Sequence, residues 1–357
     1  MCLCAFVAIS TMKTPKQLGY RFPAEWEPQT ATWLSWAHKL ESWPEKFEPV
    51  PYIYTNIVKT IARFQHVNIN VTDKEMFENV TLRLTLAGVP KERFTLYIIP
   101  TNDAWCRDHG PAFVVNPNAQ DKLAIVDWGY NAWGGKYPPF DLDDVVPTKI
   151  AEQYHVPVFY PGIVMEGGAI DVNGKGCLLT TKACLLNKNR NPHLNQEQIE
   201  TYLKEYYGQE KILWLNDGIV GDDTDGHIDD LARFVNPTTI VTCVEEDPQD
   251  ENYEILQENL KLLRTLTDQE NKPFTIVELP MPGFVAYENQ RLPASYANFL
   301  IGNGFVIVPL FNHPNDLKAL NIIQSQFPGR SVIGIDCVDL VWGLGTLHCI
   351  SQQEPAV

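Results

Sequence analysis

The stretch Glu166-Gly167-Gly168-Ala169-Ile170-Asp171-Val172-Asn173-Gly174-Lys175-Gly176-Cys177-Leu178-Leu179 carries the pattern on which the expected architecture rests. It runs polar cluster, short apolar strand, Asn-Gly turn, second strand, and Asn-Gly suits a tight hairpin reversal. The order recurs. Asp108 is followed by Ala112–Val115, Asn116-Pro117 and Leu123–Val126. His227 is followed by Leu231–Val235, Asn236-Pro237 and Thr239–Val241. Ser295-Tyr296-Ala297-Asn298 is followed by Phe299–Ile301, Gly302-Asn303-Gly304 and Phe305–Val308.

The turn asparagines Asn116, Asn173, Asn236 and Asn303 are spaced 57, 63 and 67 residues apart, a loose period that indicates repeated supersecondary units. Between the hairpins, Asp143–Tyr154, Gln196–Tyr207, Tyr253–Asp268 and Asn315–Gln326 place apolar residues at helical spacing. Pro51–Phe64 reads as a further helix, and His66–Val71 as the strand after it. His348-Cys349-Ile350 would open a fifth hairpin that the N-terminal segment completes, closing a ring. Equivalent strand starts in such a ring converge on its axis. Asp108, Glu166, His227, Asp229 and Cys349 are all expected at such starts and therefore in one pocket.

The 357 residues are 45% hydrophobic and 20% charged, an ordinary globular balance. A net charge of −16 argues against a nucleic-acid surface, which needs clustered Lys and Arg. It suits a small cationic substrate. Eight cysteines include no CxxC pair and match no zinc spacing, so reduced thiols in the cytoplasm are expected. No run reaches the roughly 20 apolar residues of a membrane span. Residues 1–15 are expected to be an N-terminal extension without stable structure, and 16–357 a single catalytic domain. Met1–Ser10 is apolar but lacks the basic start of a signal peptide, and translation from Met12 is an alternative.

The polar clusters hold a thiol, an imidazole and several carboxylates. Cys349 follows Gly343-Leu344-Gly345-Thr346, a run that lets a ligand approach the backbone. His348 is an unlikely base, because consecutive side chains on a strand point to opposite faces. His227 is the better proton carrier, with Asp229 on the same face and Glu166 placed to hold its far nitrogen. Arg107-Asp108 reads either as a structural ion pair or as a carboxylate for a guanidinium. Trp105 is core or the cover of a planar cation. The run Asp222–Asp230 reads as a solvated loop or, as a rival, a metal site.

Taken together, Trp105-Cys106-Arg107-Asp108-His109-Gly110-Pro111, Glu166-Gly167-Gly168, Asp225-Gly226-His227-Ile228-Asp229 and Gly345-Thr346-Leu347-His348-Cys349 resemble the agmatine deiminases of the bacterial-type peptidylarginine deiminase family. The resemblance runs from about Tyr20 to the end. It implies the α/β pentein fold: a five-bladed propeller of ββαβ units with pseudo five-fold symmetry around a central active site. It also implies hydrolysis of agmatine to N-carbamoylputrescine and ammonia, a step of putrescine and polyamine biosynthesis, without metal or cofactor.

On matching positions, Cys349 would form a covalent amidino-cysteine. His227 would protonate the leaving ammonia and then activate water. Glu166 would orient His227 and contact substrate. Asp108 and Asp229 would grip the guanidinium, Trp105 would border the pocket, and Asp223 would add a substrate contact. The implied partner is a small guanidino substrate, with no nucleic acid or membrane, and a homodimer is compatible. Leu344 stands where the family commonly has glycine, and Thr346 holds the small polar position. Three rivals remain at this stage, one of them a non-catalytic polyamine-binding protein that uses the acidic surface. Another is an arginine or peptidyl-arginine deiminase, which needs a cation such as Arg291 for a carboxylate. The third is a metal hydrolase built on Asp222–Asp230.

Overall fold

The structure, a computed structural model, describes residues 13–357. The expectations for Met1–Ser10 and for a start at Met12 lie outside the described residues. Residues at the end of the expected extension are packed: Thr14 Oγ1 donates to Glu205 at 2.7 Å.

Strands β1 (Gln29–Ser35), β2 (His66–Val71) and β3 (Phe94–Ile98) run parallel to one another. β4 (Ala112–Val115) pairs antiparallel with β5 (Leu123–Val126), and β5 pairs parallel with β6 (Val158–Phe159). The same order is kept by β7 (Ile170–Val172), β8 (Cys177–Thr181) and β9 (Lys211–Leu215). It is kept again by β10 (Ala232–Asn236), β11 (Thr239–Val244) and β12 (Thr275–Pro280). A small ribbon, β13 (Ala286–Tyr287) with β14 (Gln290–Arg291), precedes the next unit. That unit is β15 (Leu300–Gly302), β16 (Phe305–Leu310) and β17 (Ser331–Asp336). Finally β18 (Ser351–Pro355) pairs antiparallel with β1, so the two ends of the chain share one sheet.

The unit is therefore a hairpin followed by a parallel return, and a parallel return needs a crossover segment. Helices Val50–Ile61, Val146–Tyr154, Gln196–Tyr207, Tyr253–Leu263 and Asn315–Gln326 supply it. Gln196–Tyr207 shows why its ends fall where the sequence suggests. Asn195 and Gln198 form a capping box, and Gly208 closes the helix at φ 69°.

Three helix expectations are corrected, the first being Pro51–Phe64, which is observed as Val50–Ile61. Asp143–Tyr154 is two pieces, Asp141–Asp144 and Val146–Tyr154. Pro147 has no N–H to continue a ladder, and Asp143 Oδ1 instead accepts the Asn102 N–H at 2.8 Å. The helix from Tyr253 stops at Leu263, short of Asp268. The Asp268 carboxylate accepts from Glu270 and Lys272 N–H groups, which turns the chain away.

Asn173 both holds its own reversal and joins two units. Asn173 Oδ1 accepts the Lys175 and Cys177 N–H groups at 2.9 Å, while Nδ2 donates to Pro237 O at 3.0 Å. Asn303 departs from that use, with Oδ1 accepting from Gln29 N and Nδ2 donating to Gln29 O. Among the described residues, no helix is long and apolar enough to cross a membrane.

Candidate active site

Five short turns carry the candidate residues, each just before the first strand of a unit. Cys106–His109 is a helical turn ahead of β4 and holds Asp108. Glu166 opens the turn Gly167–Ala169 ahead of β7, and His227 opens Ile228–Asp230 ahead of β10. Asn298 precedes β15, and Cys349 lies in the turn Leu347–Ile350 ahead of β18. The expected strand starts are thus one turn early. This changes the argument about His348, because side chains in a tight turn do not alternate between faces. His348 Nδ1 lies 2.7 Å and Cys349 Sγ 3.9 Å from the same atom, Asp229 Oδ2. Likewise Asp229 follows His227 through a 3-10 turn rather than along one strand face.

Gly168 marks the meeting point. A Cβ there would lie 2.6 Å from His227 Nδ1, 2.7 Å from Asp108 Oδ1 and 3.1 Å from Asp229 Oδ2. Only hydrogen fits. The Gly168 N–H donates to Asp108 Oδ1 at 3.0 Å and Trp133 Nε1 donates to Oδ2 at 3.1 Å, which fixes that carboxylate. Arg107 turns away to Gln352, Gln353 and the His348 carbonyl, so of the two readings of Arg107-Asp108 the structural ion pair is not formed.

The expected hydrogen bond from Glu166 to His227 is also not formed: Oε2 and Nε2 are 4.0 Å apart. Arg190 Nε holds the other oxygen of Glu166 at 2.6 Å, with both side chains fully buried. Breaking such a pair from one side costs about 3–5 kcal/mol, so Glu166 is anchored. His227 Nδ1 and Nε2, Glu166 Oε2 and Asp229 Oδ1 are buried without hydrogen-bond partners. Buried polar atoms are normally paired. This group would suit a ligand carrying several N–H donors.

Burial sets the charges. It raises the Asp108 carboxyl to about 7, with His227 opposing and Asp229 and Glu166 adding to the rise. Burial pulls His227 down, but Asp108, Cys184 and Asp229 carry it well above the usual imidazole range. The Cys349 thiol is pushed well up by burial, then by Asp229, Asp230 and Asp108. Burial raises the Cys106 thiol to about 12, as for an inert core cysteine.

A cavity of about 230 Å³ leads to Cys349 and Asp108 past Trp105, Trp133 and Leu344. Glu41, Asp103 and Asp223 give its wall carboxylates, and among the described residues no Lys or Arg lines it. Trp105 stacks on Trp43 with centroids 5.4 Å apart. Asp223 stands apart from the buried carboxylates, at the wall, held by Lys136 at 3.1 Å and by the Tyr137 hydroxyl. Arg291 is paired with Asp250 and Glu251. Leu344 sits at φ 68°, the left-handed region a glycine enters freely. A Cβ on Gly345 would lie 2.6 Å from Trp105 Cζ3, so that position needs glycine.

In the metal reading of Asp222–Asp230, two of the aspartates are already taken up. Asp222 oxygens accept from the N–H groups of Thr224, Gly226 and His227, and Asp225 is bound by Arg190, Asn189 and Lys136. The run's His227, Asp229 and Asp230 enter two triples whose atoms come within reach of one centre, Glu166–Cys184–His227 and Asp229–Asp230–Cys349. Both belong to the thiol cluster.

Asn298 was given no role by the sequence, yet its Nδ2 donates to Cys349 Sγ at 3.1 Å and to Asp230 Oδ1 at 3.0 Å. Its signal was present, since it ends the polar cluster of the fourth repeat. Arg190 had no signal, lying in the unremarkable run Asn189-Arg190-Asn191.

Comparison with known proteins places these features among relatives. The Porphyromonas-type peptidyl-arginine deiminase family matches residues 21–355. Agmatine deiminase of Pseudomonas syringae pv. tomato is 38% identical over 366 residues, covering 96% of this chain and 97% of its own. The solved structure of Enterococcus faecalis agmatine deiminase has a TM-score of 0.90 at 38% identity, covering 97% of this chain and 98% of its own. A C. jejuni agmatine deiminase solved with substrate bound has a TM-score of 0.84 at 35% identity, covering 94% and 96%.

Proposed function

Because the chain belongs to the Porphyromonas-type peptidyl-arginine deiminase family, we propose that it hydrolyses agmatine to N-carbamoylputrescine and ammonia. The observation that carries this is the convergence of Asp108, Asp229 and His227 on the space above Gly168, with Cys349 3.9 Å from Asp229.

A guanidinium carbon is a weak electrophile because its charge is delocalised. Asp108, Asp229 and Glu166 accept hydrogen bonds from its nitrogens, hold it in line with sulfur and favour charge at the nitrogens as the carbon becomes tetrahedral. The bound cation lowers the pKa of the Cys349 thiol, which releases its proton to solvent, and the resulting thiolate attacks that carbon. His227 donates a proton to one nitrogen, the C–N bond breaks, and ammonia leaves an amidino-cysteine. His227, now neutral, takes a proton from water as the oxygen bonds to carbon. Collapse expels the Cys349 thiolate, and as the ureido C=O forms the remaining hydroxyl proton passes to solvent, where the released ammonia takes it up as ammonium. Glu166, anchored by Arg190, faces His227 and stabilises its charged form. Trp105 covers the alkyl chain.

The acidic wall supports agmatine over arginine. Agmatine ends in an ammonium, which Glu41 attracts together with Asp223 and Asp103, each shared with a lysine (Lys136 and Lys39), whereas an α-carboxylate would meet no cation among the described residues of the lining. Arg291, the cation available in sequence, is spent on Asp250. The product leads into putrescine and polyamine synthesis. In this reading residues 16–357 act as one catalytic domain, and the five sheet units form a five-bladed pentein ring around the site. The six described cysteines are free, which suits the cytoplasm. A homodimer is the assembly to test by light scattering.

Mass spectrometry of enzyme quenched during agmatine turnover tests the reading. An amidino adduct on Cys349 is expected, with ammonia release from agmatine far above that from arginine or a blocked arginine peptide. No adduct, or activity that survives Cys349→Ala, overturns it.

A further inference from the structure

The carboxylate that faces the nucleophile has a second partner behind it. Asp229 Oδ2 lies 2.7 Å from His348 Nδ1, and His348 Nε2 lies 3.2 Å from Glu25 Oε2. Each ring nitrogen thus meets a carboxylate, an arrangement an imidazolium satisfies with both N–H groups. Glu25 is itself fixed. Its Oε1 accepts the Ile301 N–H at 2.7 Å, and its Oε2 takes the Arg233 guanidinium. Arg233 donates onward to the Phe299 carbonyl at 2.9 Å and comes within 3.4 Å of Asp171. From the side, Arg107 Nε donates to the His348 carbonyl at 3.3 Å. His348 is 2% exposed, Asp229 0% and Glu25 4%, so water screens none of these contacts.

We propose that His348 is a positioning residue that, by tying Asp229 to Glu25, sets the charge and aim of the carboxylate that grips the substrate guanidinium. This deepens the guanidine-hydrolase reading above and rests on it. His348 forms no bond to the reacting carbon.

The need for such a tie is electrostatic. Asp229, Asp230 and Asp108 crowd one buried space, and like charges that close share protons. The nearest cation decides which of them stays ionised. Burial raises Asp229, but the His348 hydrogen bond and charge, with help from His227 and Arg233, bring it below the ordinary carboxylate range. Asp230, next along the chain, is driven well up by burial, Asp229 and Asp222. Glu25 is held down to about 2 against burial by Arg233 and His348, so it is an anion throughout the working pH range. Because His348 adjoins Cys349, one turn carries both the nucleophile and the tie that orders its neighbour.

The test compares wild type, His348→Leu and His348→Asn, following ammonia release across pH alongside melting temperature. Asparagine can restore a neutral N–H at the Nδ1 position; leucine cannot. In His348→Leu, KM for agmatine is expected to rise about tenfold with a smaller change in kcat, the scale of one lost charge-assisted hydrogen bond. Below the break that Asp108 sets near pH 7, the second, lower break of the acid limb of kcat/KM, where Asp229 takes its proton, should move up by about one pH unit. His348→Asn should recover most of KM but keep the shifted limb. An unmoved limb in His348→Leu, or activity that merely tracks melting temperature in both variants, overturns the proposal. A wild type inert toward agmatine sinks the hydrolase reading instead. The tie is then read by quenching of tryptophan fluorescence with millimolar guanidinium ion, whose affinity must fall in His348→Leu for the proposal to stand.

Discussion

Asn298 points its Nδ2 at Cys349 Sγ from 3.1 Å, while its Oδ1 accepts from Thr346 Oγ1 at 2.8 Å and from the His348 N–H at 2.9 Å. One amide therefore shapes the turn that carries Cys349, the proposed nucleophile, and offers a proton donor to sulfur where nearby carboxylates disfavour a thiolate. Asn298→Ala is expected to lower kcat about 10²-fold, the range for removing one donor from a developing charge. Asn298→Asp should fall further. Steady-state ammonia release decides it, and a kcat within threefold of wild type removes the role.

Gly168→Ala adds one methyl group where His227, Asp108 and Asp229 meet. One of them must shift, and misplacement of about 1 Å can cost 10²-fold. A drop of that size in kcat/KM is expected, with the far-ultraviolet circular dichroism of wild type. Near-native activity would show that the space is slack.

Glu25 carries a pH signature. Its folded pKa, about 2, lies below the ordinary 4.5, so ionised Glu25 contributes stability above about pH 4.5. That contribution is lost as pH falls through 2, and at the full shift it amounts to roughly 3 kcal/mol. Glu25→Gln should melt lower at pH 7, where Arg233 is left buried without its partner. The gap to wild type should close between pH 4.5 and 2. Thermal melts across that window are the check, and a constant gap contradicts the assignment.

Cys349 should be a thiol in the free enzyme at neutral pH, because burial and three aspartates raise it. Thiolate absorbance near 240 nm should then be weak at pH 7 and grow only well into the alkaline range. Binding an unreactive guanidine places a cation beside sulfur and should bring that rise to lower pH. An unchanged titration in Cys349→Ser, compared with wild type, would assign the signal elsewhere.

Leu344→Gly tests the strain in the nucleophile loop. Glycine relieves roughly 1 kcal/mol of left-handed strain but adds about as much unfolded-state entropy. Melting temperature should therefore stay within a few degrees, while the wider cavity raises KM for agmatine. A large stability change would mean that Leu344 packing, not its backbone, dominates.

Much of the fold was legible because β-hairpins and amphipathic helices write themselves locally. His66–Val71, Ala112–Val115, Leu123–Val126, Gln196–Tyr207 and Asn315–Gln326 have the bounds expected of them. Errors fell where side chains overrode periodicity: Asp143 and Pro147 split one helix, and Asp268 shortened another. The site followed the same division. Cys349, His227, Glu166, Asp108 and Asp229 announced themselves as residue types at repeated positions. Arg190, which anchors Glu166, sits in a loop with no pattern of its own.

By itself the amino-acid order determined the repeating unit, the set of reactive groups and the family to which they belong, since each depends on local spacing and residue identity. Only the folded chain decided which group faces which. It turned Arg107 away from Asp108, left His227 4.0 Å from Glu166, and gave Asp229 to His348 as well as to Cys349. Those choices rest on burial and on competition among charges brought together from distant positions, and neither is a property of any short stretch of sequence.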